Sequence, residues 1–426
     1  INFKKTKINL KYNKKNENSI LLEGQFNINN NNQFNKFKII NSFNKKHSKL
    51  NVDFDFIDIL KLDFINYKKN KSKKANIKSE ISILENEVNI KFIDYKEGKN
   101  AIKVSDLKID KKNKIKSFKS IEVKTFANKI ENNNFKISFG KNIVIKGKTY
   151  DSTNLIENIN NNDKNYFFGK IDKLIEISFK NILTKLSIPI SNFNLLGEIK
   201  KGKLVNISSK SEFPDANYLD ITLKKDKNSN KKILEVYSDL PRVVLADYNF
   251  FNSVEGGKLL FISKFDDQIS FSNLKIENFK VIDAPAFAKL LSLADFGGMI
   301  DVLNGEGLSF DIMEIKISKD KDVLKIDELY AIGPSISILI EGYVENKSGL
   351  VSLKGTMVPA KNLNKLISKI PVLGKILIPK EIGEGAFGVS FKIKGLAAEM
   401  KTTVNPIKTL TPRFITRALE KRKKNN

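Results

Sequence analysis

The sequence predicts a mainly β protein, built as an elongated antiparallel sheet with short amphipathic helices inserted towards the C-terminus. Three observations predict it. Apolar and polar residues alternate with a period of two over most of the first two thirds of the chain. Clusters of Asn, Lys and Gly, the residues of tight turns, separate the alternating runs. Helical patterns ending in glycine interrupt the alternation at only a few places, most fully after Val281.

Residues 1–150 carry the clearest strands. Alternation puts the apolar side chains of a strand on one face and the polar ones on the other. Val52, Phe54 and Phe56 alternate with Asp53 and Asp55; Ile81 and Ile83, then Phe135, Ile137 and Phe139, repeat the pattern. Turn residues fill 29–32 and 96–100. Many strands joined by short turns predict antiparallel meanders.

Residues 151–280 continue the sheet and add two short helices. The first is expected over 150–159, capped by Asp151 or Ser152. The second is expected from 238, with Asp239 as its cap and Pro241 in its first turn, ending by Gly256 and Gly257.

Residues 281–426 form a third part. Asp283 caps its best helix, and Phe287, Leu290, Leu291 and Ala294 fall at i, i+3, i+4 and i+7. Leu363, Leu366, Ile367 and Ile370 repeat that spacing. A Gly-Glu-Gly element follows each helix, at 305–307 and 383–385. From Thr411 the tail reads as a basic amphipathic helix. Phe414, Ile415, Ala418 and Leu419 form its stripe, flanked by Arg413, Arg417, Lys421 and Arg422.

Composition bounds the function. The chain has 426 residues, 41% of them hydrophobic, which is ample for a core. Lys and Arg number 75 against 48 Asp and Glu, a formal charge of +27. Such a surplus points to nucleic acid, an anionic membrane or an acidic partner. Lys, Asn and Ile are abundant together, however, as AT-rich coding produces, and we read the surplus as that bias. The phenylalanines lie within the apolar alternation, which argues against a nucleic-acid track.

Cysteine is absent, which excludes disulfides, thiolate ligands and a Cys nucleophile. The single His, His47, sits among lysines and reads as a solvated loop residue. No run of about 18 apolar residues is long enough to span a bilayer as a helix. The chain starts at Ile1 without a visible leader and reads as a fragment, with any anchor upstream.

Gly383, Gly385 and Gly388 match the letters of a dinucleotide fingerprint, but here the helix precedes and the strand follows, and Glu384 would repel phosphate. Asp53 and Asp55 share a strand face, as a metal or acid pair would; alternating charge on a solvated face is the commoner cause. No Ser/His/Asp set assembles. The expectation is a protein without catalytic residues, cofactor or metal.

Several stretches together resemble the C-terminal region of AsmA-like proteins, in their YhdP-type branch. They are Ala284-Pro-Ala-Phe-Ala-Lys-Leu-Leu-Ser-Leu293, Leu303-Asn-Gly-Glu-Gly-Leu-Ser-Phe310, Gly355-Thr-Met-Val-Pro-Ala360, Ile370-Pro-Val-Leu-Gly374, Gly383-Glu-Gly-Ala-Phe-Gly388 and Val404-Asn-Pro-Ile407. The resemblance is dense over 281–417; earlier, mainly the strand pattern agrees. Ala397, Ala398 and Glu399 stand where that family usually has proline, and Thr411 to Arg417 only approximates its closing motif.

The resemblance implies a periplasmic protein of a Gram-negative envelope, anchored in the inner membrane by an N-terminal helix preceding this chain. Its sheet would be twisted and curled into a U-shaped open hydrophobic groove that carries phospholipid between inner and outer membrane. Periodicity alone leaves open a second solution, in which the apolar faces pack on one another as sandwiches. The rival function is a periplasmic tether or scaffold assisting outer-membrane protein assembly, with other envelope proteins as partners.

On the groove reading, Val52, Phe54, Phe56, Ile81, Ile83, Phe135, Ile137, Phe139, Ile276, Ile315, Ile317, Ile336 and Ile338 are the lining candidates. Phe287, Leu290, Leu291, Leu363, Leu366, Ile367 and Ile370 would set helices at the groove end, or pack as ordinary core. Arg413, Phe414, Arg417, Leu419, Lys421 and Arg422 are the membrane-contact candidates, or a solvated terminal helix.

Overall fold

The structure is a computed structural model. It describes all residues except 13–17, 28–32, 45–46, 72, 156–170, 230, 247–252, 284, 294–304, 360–387, 397–398 and 408–426. The protein is mainly β. It divides into two compact units, Ile1–Ala216 and Asn217–Asn426, so the sequence divisions at 150 and 280 fall inside them.

In the first unit, β1 (Asn2–Lys11), β2 (Asn18–Asn27), β3 (Asn35–Phe43) and β4 (Ser48–Phe56) form an antiparallel meander. The chain then leaves the ladder. Residues 57–74 hold a separate ribbon, β5 (Leu60–Leu62) and β6 (Tyr67–Lys69), joined by a 3-10 turn at Asp63–Ile65. β7 (Ala75–Ile83) returns to pair with β4, followed by β8 (Glu87–Glu97) and β9 (Asn100–Asp110). The far side of β9 holds the short β10 (Ile115–Ser117) and β11 (Ser120–Ala127). Then come β12 (Ile130–Phe139), β13 (Ile143–Asp151), β14 (Lys173–Leu183), β15 (Ile190–Lys200) and β16 (Lys203–Phe213).

The expected all-antiparallel sheet is corrected at one step, since β13 and β14 pair in parallel. Parallel neighbours need a crossover of a dozen or more residues, and the connection from Asp151 to Lys173 has that length. Of the helix expected over 150–159, only the start is corrected; Leu155 is helical, and 156–159 lie outside the described residues. Tyr150 and Asp151 end β13, and the Asp151 carboxylate accepts from the Thr153 amide over 3.2 Å.

The second unit is an antiparallel meander in chain order. Its strands are β17 (Asn217–Lys225), β18 (Lys232–Ser238), β19 (Val254–Phe265), β20 (Ser270–Val281), β21 (Leu308–Lys319), β22 (Val323–Ile332), β23 (Ile336–Glu345), β24 (Leu350–Pro359), β25 (Gly388–Leu396) and β26 (Lys401–Ile407).

Among the described residues, two helices interrupt this meander: a single turn, α1 (Pro241–Val244), and α2 (Pro285–Leu293). Pro241 opens α1 as expected, but Asp239 is not its cap. The Asp239 carboxylate is drawn to the strands instead, accepting from the Tyr218 amide over 2.9 Å and the Tyr237 hydroxyl over 2.6 Å. Gly256 and Gly257 lie inside β19 and do not end a helix. The second expected helix, with Leu363, Leu366, Ile367 and Ile370, lies outside the described residues. So does the tail with Arg413, Phe414, Arg417, Leu419, Lys421 and Arg422.

Candidate apolar binding face

Strand register turns the period-two pattern into rows that cross the sheet. In the first unit, directly opposed residues run Ile8, Leu22, Ile39, Val52, Ser79, Ile93, Val104, Ile121, Ile137, Ile145, Ile177 and Leu195, ending at Ser209. Only the two serines break its apolar character. From Leu22 to Leu195 this middle row is half-buried, apart from the buried Ser79.

Two residues along each strand, on the same face, lies a second row: Phe37, Phe54, Ile77, Tyr95, Ile102, Val123, Phe135, Gly147, Phe179 and Phe193. Gly147 is a close approach in this row, because a Cβ there would meet the Phe135 Cβ at 2.4 Å. On the other side of the middle row lie Leu50, Ile81 and Ile90, and further on Phe139, Ile143 and Ile175.

The opposite face is charged and also in register. Lys7, Glu23, Lys38, Asp53, Lys78, Asp94, Lys103, Glu122 and Lys136 oppose one another in turn, a ladder of alternating sign. Asp53 and Asp55, the candidate acid pair, belong to this face. Lys78 approaches Asp53 at 3.2 Å, Lys74 approaches Asp55 at 2.7 Å, and the Asn76 amide donates to both carboxylates. His47 closes an exposed turn through its amide and the Asn44 side chain.

The row containing Phe135 is roofed by residues 57–74. Ile65 and Tyr67 of this excursion are buried in one cluster with Ala75, Tyr95, Val123, Phe135, Tyr150, Phe179 and Ile182, and Leu60 and Leu62 pack against it. Phe135, Tyr150 and Phe179 are mutually in ring contact at 5.4–5.8 Å.

Polar groups at the rim fasten the roof. Asn133 donates to the Ile65 carbonyl over 2.7 Å, and Tyr150 donates to the Phe64 carbonyl over 3.0 Å. Asn66 donates to Asp151 over 3.0 Å. The Tyr67 and Tyr95 hydroxyls meet at 2.6 Å, and Tyr67 donates to Glu97 over 3.1 Å. Burial raises the pKa of both phenols, and raises that of Tyr150 to about 12. Lys69 is buried as well, which lowers its pKa. Its ammonium donates to the Asp58 carbonyl over 2.8 Å and lies 5.1 Å from the Phe56 ring centre.

The second unit repeats the construction with more burial. Its first row is Leu219, Ser238, Leu259, Ile276, Met313, Ala331, Ile338, Met357 and Val389, every one buried. The next is Ile221, Val236, Phe261, Leu274, Ile315, Leu329, Ile340, Gly355, Phe391 and Val404, of which Val236, Leu274, Ile315, Leu329 and Phe391 are buried and the rest half-buried. A third holds Ile317, Ile326 and Leu353. Ile336 is fully buried beyond the first row. Towards that end Phe279 and Phe310 stack at 5.3 Å, and Phe287 of α2 comes within 6.5 Å of Phe310. Leu290 and Leu291 of α2 are buried.

The lining candidates therefore fall on shared faces but in different surroundings. Val52 and Ile137 occupy the half-covered middle row, with Ile81 and Phe139 beside it. Phe54 and Phe135 belong to the row that the excursion covers along part of its length. Phe56 lies at its margin, and Ile83, 43% exposed, ends the opposite side. Ile276, Ile315, Ile336 and Ile338 are buried, and Ile317 half-buried. Sequence reasoning missed the roof. Its signal was the doubled apolar pair Phe64-Ile65 inside a long interruption between two alternating strands.

Compared with family models, with curated proteins and with solved structures, the chain gives no match in any of the three.

Proposed function

We propose that this chain is a non-enzymatic carrier of phospholipid, moving it along the apolar face between the inner and outer membranes of a Gram-negative envelope. On this reading the sheet is curled into a U-shaped trough in the periplasm, tethered to the inner membrane by a helix preceding the chain. The supporting observation is the middle row of the first unit. It crosses the sheet from Ile8 to Leu195 with its side chains mostly half-covered. A dry sandwich buries such side chains against a second layer. Half-covered ones leave hydrocarbon contact to be made, and each methylene taken from water is worth about 0.8 kcal/mol.

The test is lipid extraction and mass spectrometry on the purified chain, beside Ile137→Asp and Ile177→Asp variants. Copurifying phospholipid, reduced in the variants while circular dichroism is unchanged, supports the carrier. An extract without lipid overturns it; stable envelope-protein partners in that case indicate a scaffold.

A further inference from the structure

The two long rims of the apolar face in the first unit differ in cover. One rim carries the roof. The turns on the other rim join β3 to β4, β7 to β8, β9 to β10, β12 to β13 and β15 to β16, and the register sets them all at one end of the strands. Apolar side chains reach this rim uncovered at Ile83 and Leu84, 43% and 39% exposed.

Lysines are frequent on the open rim, and several of its acids are engaged. The Asp110 carboxylate accepts from the Lys112 and Lys114 amides over 2.8 and 2.9 Å, shaping the turn. Asp172 accepts from the Lys201 amide over 2.5 Å. Glu87 meets Lys116 at 3.2 Å and Glu198 meets Lys200 at 2.9 Å, whereas Glu85 and Asp106 make no ion pair among the described residues. The ammonium groups of Lys111, Lys112, Lys141 and Lys201 make no ion pair among the described residues. Lys173 lies 4.7 Å from the Phe139 ring centre, so a cation sits at the edge of the apolar row. The roofed rim carries lysines of both kinds: Lys61 and Lys73 pair with Asp63 and Glu97 at 2.7 and 3.6 Å, while Lys99 and Lys129 make no ion pair among the described residues.

We infer that the open rim takes the anionic phosphate head group of a diacyl lipid whose tails lie on the uncovered rows. This rests on the carrier reading and adds to it a side of entry and a class of head group. Where the roof covers the other rim, from β7 to β14, tails enter from the lysine side. Phosphate finds unpaired ammonium groups there, next to half-covered hydrocarbon.

The experiment measures binding of three probes to the full chain: phosphatidylglycerol, diacylglycerol with the same tails, and glycerol 3-phosphate. Phosphatidylglycerol is expected to bind about tenfold tighter than diacylglycerol, with the advantage shrinking as salt rises. A Lys111→Glu, Lys112→Glu, Lys141→Glu variant is expected to lose that advantage while still binding diacylglycerol. Reversal on the roofed rim, Lys99→Glu with Lys129→Glu, is expected to change neither. Equal binding of the two lipids, or equal loss in both variants, overturns the head-group assignment and leaves the carrier standing. Displacement of phosphatidylglycerol by equimolar glycerol 3-phosphate overturns it too, since the rim is then a site for free phosphate esters. Failure of both lipids to bind overturns the carrier reading itself.

Discussion

The Asn133 side-chain amide donates to the carbonyl oxygen of Ile65 over 2.7 Å, although the two residues are 68 positions apart. Asn133 also donates to Thr125 Oγ1 over 2.9 Å and accepts from the Asp151 amide over 3.0 Å, so one buried residue ties the roof to two strands. Asn133→Ala is expected to cost about 1–3 kcal/mol, because it strands buried polar groups without replacing them. Hydrogen exchange should rise most within residues 60–69. Unchanged exchange there would mean the roof is held by its apolar contacts alone.

Two glycines test how closely the rows pack. A Cβ at Gly147 would meet the Phe135 Cβ, whereas one at Gly355 would meet the far end of the Phe391 ring, each at 2.4 Å. Either Gly→Ala change is expected to cost about 1–3 kcal/mol by overpacking. Phe391→Leu should recover part of the loss at Gly355, since it removes the nearest clashing atom and leaves the Leu339 carbonyl oxygen at 2.6 Å. Phe135→Leu should not rescue Gly147→Ala, because it keeps the Cβ. Thermal denaturation of the four single and two double variants decides the matter.

The alternating ladder makes charge swaps fail. Asp53 is opposed by Lys78 on one side and by Lys38 on the other, while Lys78 also faces Asp94. Exchanging Asp53 and Lys78 restores their own pair but sets a new lysine beside Lys38 and a new aspartate beside Asp94. The doubly exchanged chain is therefore expected to be less stable than the parent by about 0.2–1 kcal/mol per like-charged contact. Thermal denaturation reads the deficit, which should shrink in high salt. A full recovery in the double exchange would show that the ladder acts only pair by pair.

Alkaline titration should loosen the roof. Burial raises the pKa of Tyr67, Tyr95 and Tyr150, the last to about 12 from an ordinary 10. A phenol whose folded pKa is raised holds its proton longer in the native chain than in the unfolded one. Its stabilising share is thus complete below pH 10 and lost as pH rises towards and past 12. The melting temperature should fall across that window, together with the appearance of tyrosinate absorbance. Tyr150→Phe removes one of these protons and should flatten the fall.

Much of the sheet was legible because its signal is local. Phe135, Ile137 and Phe139 alternate with polar neighbours, and the structure keeps them on one face of one strand. The roof was not legible, because its bonds join Ile65 to Asn133 and Phe64 to Tyr150, partners that no local period connects. Asp239 was misread as a cap for a related reason. A carboxylate before Pro241 suits a helix start, but two donors on neighbouring strands take it instead. The parallel step after β13 depends on the path of its connection, which strand periodicity does not encode.

The sign of the charged ladder repeats every second strand, from Lys7 through Glu23 to Lys136. A hairpin is also two strands. Inserting or removing one whole hairpin therefore preserves opposite neighbours, whereas a lone strand would set equal signs side by side. A gene for such a chain can change the reach of its product in increments of roughly 10 Å, twice the inter-strand spacing, without rewriting the rest of the surface.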